Sequence, residues 1–132
     1  MPRRKKAFPT ELELQILKVL WKEHPLPVRE VQSRLLDDAN RPLAHSSVIT
    51  ILNIMHRKGL LTRKKDGKAF LFAPKVKENE VRGGMLRDLL DRLFNGSPQA
   101  MMLNLLETSD LNDSELTDLR KLVNQRAKGK TK

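Results

Sequence analysis

The stretch from Ala44 to Ala73 constrains the fold more than any other part of the chain, because a two-faced helical pattern runs directly into two strand-like segments around Asp66-Gly67. Side chains three or four positions apart share a helix face, so Val48, Ile51, Leu52 and Met55 form one apolar stripe that belongs against a core. Half a turn away, Ser46, Thr50, Asn53 and Arg57 line up as short hydrogen-bonding groups ending in a cation, a composition suited to reading base edges. Any surface helix has a polar face, so the residues beyond the helix decide its meaning. Gly59 suits a helix C-cap because it accepts positive φ, and Asp-Gly between two strand-like runs signals a hairpin. Arg63, Lys64, Lys65 and Lys68 crowd the tip of that hairpin. They either keep an edge strand soluble or lie against phosphates, and the polar helix beside them favours phosphates.

Charge distribution points the same way. The 132 residues carry a net charge of +10. Residues 1–74 hold 15 Lys/Arg against 7 Asp/Glu, a net +8, whereas residues 75–126 hold 8 against 9. An excess so concentrated suits a polyanion partner for the first half, and the near-neutral second half suits protein contact. No apolar run approaches the roughly 20 residues that span a bilayer, so membrane insertion is not expected. The basic start, Met1 to Lys6, is followed by Phe8-Pro9-Thr10 with no secretory apolar core. The chain has no cysteine, which excludes disulfides and thiolate chemistry and fits a cytoplasmic address.

The periodicity predicts helix, helix, helix, strand, strand, and then three more helices. Thr10-Glu11-Leu12-Glu13 is a capping box that opens the first helix, with Leu14, Ile16, Leu17, Leu20 and Trp21 on its apolar side and a stop before Pro25. Pro27 can occupy the first position of the second helix, whose inner face is Val28, Val31 and Leu35, before a loop over 37–42. Ala44 is a poor N-cap for the third helix, so its start is expected to shift towards Ser46 or Ser47. Beyond Pro74, residues 77–94 resume a helical pattern with Val81, Met85, Leu89, Leu90 and Leu93 on its apolar side, interrupted by Gly83-Gly84 as a bend or close approach. Ala100 to Leu106 is nearly all apolar and is expected to be buried on most sides. Asn112 with Glu115 caps a last helix carrying Leu116, Leu119, Leu122 and Val123. The expected division is a basic arm over 1–9, a winged-helix domain over 10–75, a three-helix dimerisation domain over 76–126 and a basic tail over 127–132.

Short helices seal a core poorly on their own, so the second half is expected to pair two copies. Its dimerisation set is Met85, Leu89, Leu93, Met102, Leu103, Leu105, Leu106, Leu116, Leu119 and Val123. A twofold dimer places two reading helices about 34 Å apart and fits an inverted repeat. Catalysis has little support. His24, His45 and His56 are scattered, without metal-ligand spacing or a nucleophile, although His45 is placed to touch phosphate. The methionines fit core filler better than metal ligands, no glycine-rich nucleotide loop follows a strand, and neither cofactor nor metal is expected. A competing class remains open, a winged-helix interaction module whose basic face binds an acidic partner.

Thr10-Glu11-Leu12-Glu13-Leu14-Gln15-Ile16-Leu17, Val28-Arg29-Glu30-Val31, Ser46-Ser47-Val48-Ile49-Thr50-Ile51-Leu52 and His56-Arg57-Lys58-Gly59-Leu60-Leu61 resemble the penicillinase-repressor family over roughly residues 9–125. The resemblance implies a bacterial transcriptional repressor that binds its operator as a homodimer. By position it places Ser46, Ser47, Thr50 and Asn53 at base edges, Ile49 against a thymine methyl or in packing, and Arg57, Lys58 and the wing cations on phosphates. It also implies a membrane sensor-protease as a partner and release by cleavage of an Asn-Phe bond. The matching positions here are Asn104-Leu105, and the C-terminal cysteines of copper-responsive relatives have no counterpart.

Overall fold

A computed structural model describes residues 8–129, so most of the expected basic arm and the last three residues of the expected tail lie outside the described residues. Helix α1 (Glu11–Lys22) starts where its chemistry dictates. Glu13 N donates to Thr10 Oγ1 at 3.2 Å and Thr10 N donates to Glu13 Oε1 at 2.9 Å, so two N–H groups that a helix start leaves unpaired are satisfied reciprocally. Strand β1 (Leu26–Pro27) follows, an element too short to show any periodicity in the sequence. Pro27 is consequently the N-cap of α2 (Val28–Ala39) and not its first residue. That helix runs past the expected loop start because Asn40 adopts the left-handed conformation, φ 51°. The Asn40 and Arg41 N–H groups then close on Leu36 and Leu35 carbonyls at 3.1 Å, a helix stop that asparagine tolerates better than most residues.

Helix α3 (His45–Arg57) begins directly after Ala44, with no side-chain cap. The expected shift to Ser46 or Ser47 does not occur, since Ala44 O already accepts from Val48 N at 3.1 Å and leaves both serines inside the first turn. Gly59, at φ +86°, ends the segment, with Leu60 N returning to Met55 O at 2.9 Å. Strands β2 (Leu61–Asp66) and β3 (Ala69–Pro74) pair antiparallel from Leu61↔Pro74 to Asp66↔Ala69. The two-residue loop is therefore Gly67-Lys68, one position later than Asp66-Gly67. Gly67 carries the positive φ of 65° at the first loop position, where a hairpin turn demands glycine. β3 also pairs with β1, giving the order β1-β3-β2.

The chain separates into two compact units, one up to Leu86 and one from Arg87. Within the first, Ile16, Leu17 and Leu20 of α1, Val31 and Leu35 of α2, Val48, Leu52 and Met55 of α3, and Leu61 and Phe72 of the hairpin form one closed core. Trp21 packs against it and donates from Nε1 to Val76 O at 2.9 Å, which makes it a structural anchor. Helix α4 (Glu78–Phe94) begins in this unit. A Cβ on Gly84 would sit 3.3 Å from Phe8 Cε1, so a close approach and not a nucleotide loop accounts for that glycine. The second unit holds the rest of α4, α5 (Pro98–Thr108) and α6 (Asp113–Gly129). Asn112 and Glu115 bond reciprocally at 2.8 and 3.0 Å to open α6, which continues through 127–129, the start of the expected basic tail.

One polar group is buried among the apolar ones. Glu13 is 1% exposed, and its Oε2 accepts from Lys58 Nζ at 2.7 Å. Burial alone would push its carboxyl up, but hydrogen bonds from Lys58 and Thr10 outweigh that and hold it below its ordinary value of 4.5. Lys58→Met should therefore destabilise the fold by about 2 kcal/mol, less than breaking a fully enclosed pair because the ammonium is partly solvated. The readout is the urea midpoint. With the folded carboxyl depressed, its stabilisation is complete above pH 4.5 and is lost as acidification titrates it through the lowered folded value. Glu13→Gln should flatten that acid limb in thermal unfolding measured across pH.

Candidate nucleic-acid interface

The outward side of α3 is continuous with the hairpin. Ser46, Ser47, Ile49, Thr50 and Arg57 are exposed, and Asn53 is half-buried beside β2. Of the apolar stripe, Val48, Leu52 and Met55 are fully buried and Ile51 is half-buried against the core, so the helix cannot rotate this row away from solvent without opening the core. Thr50 Oγ1 donates to Ser46 O at 3.0 Å. That back-bond uses the hydroxyl proton and leaves an oxygen acceptor facing out.

Strand pairing sorts the hairpin cations. Arg63 lies opposite Phe72 and Lys65 opposite Phe70, while Lys64 lies opposite Leu71. Paired residues share a face and neighbours alternate, so Arg63 and Lys65 project on the side of the two phenylalanines and Lys64 on the other. The four cations thus do not share one surface, although they crowd together in sequence. Arg63 Nη1 donates to Asn53 Oδ1 at 2.7 Å, and its guanidinium carbon lies 4.5 Å from the Phe70 ring centroid. Among the described residues, Arg57, Lys64, Lys65 and Lys68 enter no ion pair.

Between α3 and the hairpin runs a groove of about 530 Å³, lined by His45, Ile49 and Asn53 from α3, Lys68 and Phe70 from the hairpin, and Arg29 from the start of α2. The geometry brings together His45, Ile49, Asn53 and Lys68 from the expected set. Ser46, Ser47 and Thr50 border a shallower hollow of about 280 Å³ on the far flank of α3, with Ile51 and Ile54. Arg29 is a cation the sequence reasoning does not assign, and the short β1 that precedes it gives no signal. Lys58, which the sequence places on phosphate, pairs through its ammonium with Glu13 at 2.7 Å, the partner that a buried carboxylate needs.

The remaining expected residues lie elsewhere. Met85 is half-buried in the first unit. In the second unit Leu89, Leu93, Leu116, Leu119 and Val123 are exposed, and on α5 so are Met102, Leu103, Leu105 and Leu106, at 48–60%. The expectation that Ala100 to Leu106 is buried on most sides is thus not met within one chain. α5 and α6 contain no buried residue at all. Asn104-Leu105 lies inside α5, with Asn104 O accepting from Thr108 Oγ1 at 2.8 Å and Leu105 O from Ser109 N at 2.9 Å. None of the described helices is long and apolar enough to cross a membrane.

Known proteins share both the sequence and the fold. The family model described as penicillinase repressor matches residues 9–125. The penicillinase repressor of Bacillus licheniformis is 27% identical over 116 residues, covering 88% of this chain and 89% of the relative. The transcriptional regulator BlaI of Mycobacterium tuberculosis is 31% identical over 99 residues, covering 74% and 70%. A solved complex of hsRosR-S4, 16% identical, superposes with a TM-score of 0.54 over 91% of this chain and 90% of the other, a likeness of fold alone. On its winged helix and the match along nearly its whole length, the chain belongs to the penicillinase repressor family, whose members are DNA-binding transcriptional repressors and not enzymes.

Proposed function

We propose that the protein represses transcription by binding an inverted-repeat operator as a homodimer. The observation that carries this reading is the juxtaposition of an uncovered polar helix face with cations that have no internal partner. Cations without an internal partner gain most from a polyphosphate, through release of the counterions condensed on DNA. In this reading α3 enters the major groove. Ser46, Ser47, Thr50 and Asn53 meet base edges, and Ile49, 37% exposed, meets a thymine methyl. His45, Arg57, Lys64, Lys65 and Lys68 hold phosphates and set register. Arg29 joins them from the edge of the groove, and Lys58 does not.

The homodimer rests on the second unit. Leucines and valines at helical spacing, from Leu89 to Val123, stay exposed on α4, α5 and α6, an area that a lone soluble domain rarely leaves in water. A second copy in twofold symmetry covers the same patch on both chains. Proteolytic release would act in α5. The Asn104-Leu105 bond is helical and its carbonyls are occupied, so a protease, which takes peptides extended, must first unwind that helix. A membrane sensor-protease is the partner this route requires, and the repressor itself works in the cytoplasm.

Lys65→Ala and Lys68→Ala should each reduce the slope of log affinity against log salt by about 0.9 and weaken operator and random duplex alike. Thr50→Ala should instead leave that slope alone and erode discrimination between them. Poly-glutamate displacing the protein as readily as duplex DNA would favour an acidic protein partner over an operator. Leu103→Glu or Leu106→Glu should give a folded monomer in sedimentation at micromolar concentration, since each places a charge in the paired surface. Operator affinity should fall about tenfold or more with it, because the two reading helices no longer bind as a linked pair. A wild-type chain that sediments only as a monomer refutes the dimer.

A further inference from the structure

We propose that Arg63 is a positioning residue for base readout: by holding the Asn53 carboxamide oxygen, it turns Asn53 into a hydrogen-bond donor aimed at acceptor atoms on base edges. This rests on the operator-binding reading above and assigns within it a specificity role to a residue that charge alone would place on phosphate.

Three observations carry it. Arginine has five N–H donors and no acceptor, so the Asn53 atom facing Nη1 at 2.7 Å must be the carbonyl oxygen, which fixes the orientation of an otherwise two-way amide. The guanidinium is itself held, lying 4.5 Å from the Phe70 ring centroid, where cation and ring attract. Phe70 in turn is fixed by Phe72, with ring centroids 6.4 Å apart, and Phe72 is 2% exposed in the core. A chain of contacts therefore runs from the core through the hairpin to one side chain on the reading helix. Asn53 is partly buried beside β2, and Arg63 reaches it from the exposed side of the hairpin.

The consequence is a definite readout. An unrestrained asparagine pairs with adenine through both ends of its amide, accepting from N6 and donating to N7. With the oxygen turned to the hairpin, the NH₂ group is the end left for the duplex. It suits N7 of a purine, O6 of guanine or O4 of thymine.

The test uses the full-length protein and a duplex enriched by the wild type from a randomised pool, compared with a scrambled duplex of equal length. Arg63→Ala should lower the ratio of the two affinities about tenfold, within the range for one base contact, with the salt slope unchanged. Asn53→Ala should give a similar loss, and adding Arg63→Ala to it should cost no more, because Arg63 acts through Asn53. Arg63→Gln, which keeps an N–H donor and removes the charge, should restore most of the discrimination. The proposal is overturned if Arg63→Ala lowers the salt slope by about 0.9 and weakens both duplexes equally, the signature of a phosphate contact. It is also overturned if the loss persists undiminished in the Asn53→Ala background. If the wild type enriches no sequence, the operator reading itself fails and the inference falls with it. A folded variant is confirmed by its thermal transition, and in DNA-free protein the Asn53 side-chain amide resonances should shift on Arg63→Ala.

Discussion

The position of α3 depends on one buried carboxylate. Glu13 closes the first turn of α1 by bonding Thr10 and, from the same side chain, grips Lys58 at the C-cap of α3. Two helices remote in sequence are thereby tied at opposite ends, one at its beginning and one at its finish. Apolar packing sets how deeply α3 lies, with Val48, Leu52 and Met55 fully buried in an interdigitated core. A short charge-assisted hydrogen bond is directional, and it reinforces the axial register of α3 against α1. The hairpin leaves α3 immediately beyond Gly59, so that register propagates into where the wing cations stand.

Local signals of the fold are legible in the sequence, and signals that depend on distant partners are not. Thr10 with Glu13, Asn112 with Glu115, the buried stripe of α3 and the stop at Gly59 are set by residues close together in the chain, and each stands as expected. Strand β1 exists only because β3 lies beside it, and two residues carry no period. The role of Lys58 depends on a carboxylate 45 positions away, so proximity to Arg57 suggests phosphate instead. Likewise the bridge from Arg63 to Asn53 needs the hairpin folded back on the helix. Lys64 and Lys65 adjoin in sequence, yet a strand turns neighbours to opposite faces, and counting cations without that alternation overstates their convergence. The single-residue offset of the turn follows from the ladder: Asp66 still pairs with Ala69, so glycine becomes the first loop residue.

The two units illustrate different solutions to burial. The first encloses a closed set of aliphatic and aromatic side chains within one chain and spends its exposed surface on charge. The second caps its helices well, through Ser97 and Asn112, yet hides almost none of its leucines. Good capping makes the helices persist locally, and apolar faces left in water give them a reason to associate. Asn104 sits in α5, its carbonyl bonded within the helix and its neighbours Leu103 and Leu105 exposed.

The short strand β1 carries a further consequence. An open sheet normally exposes a row of backbone donors and acceptors that can recruit a stranger's strand and seed aggregation. Here one border is only two residues long and its second residue, Pro27, has no N–H. The opposite border carries Arg63, Lys64 and Lys65 in succession, which repel an identical border. Both margins are blunted, so neither edge of the wing offers a ready template for strand-to-strand polymerisation in a chain that leaves so many leucines uncovered.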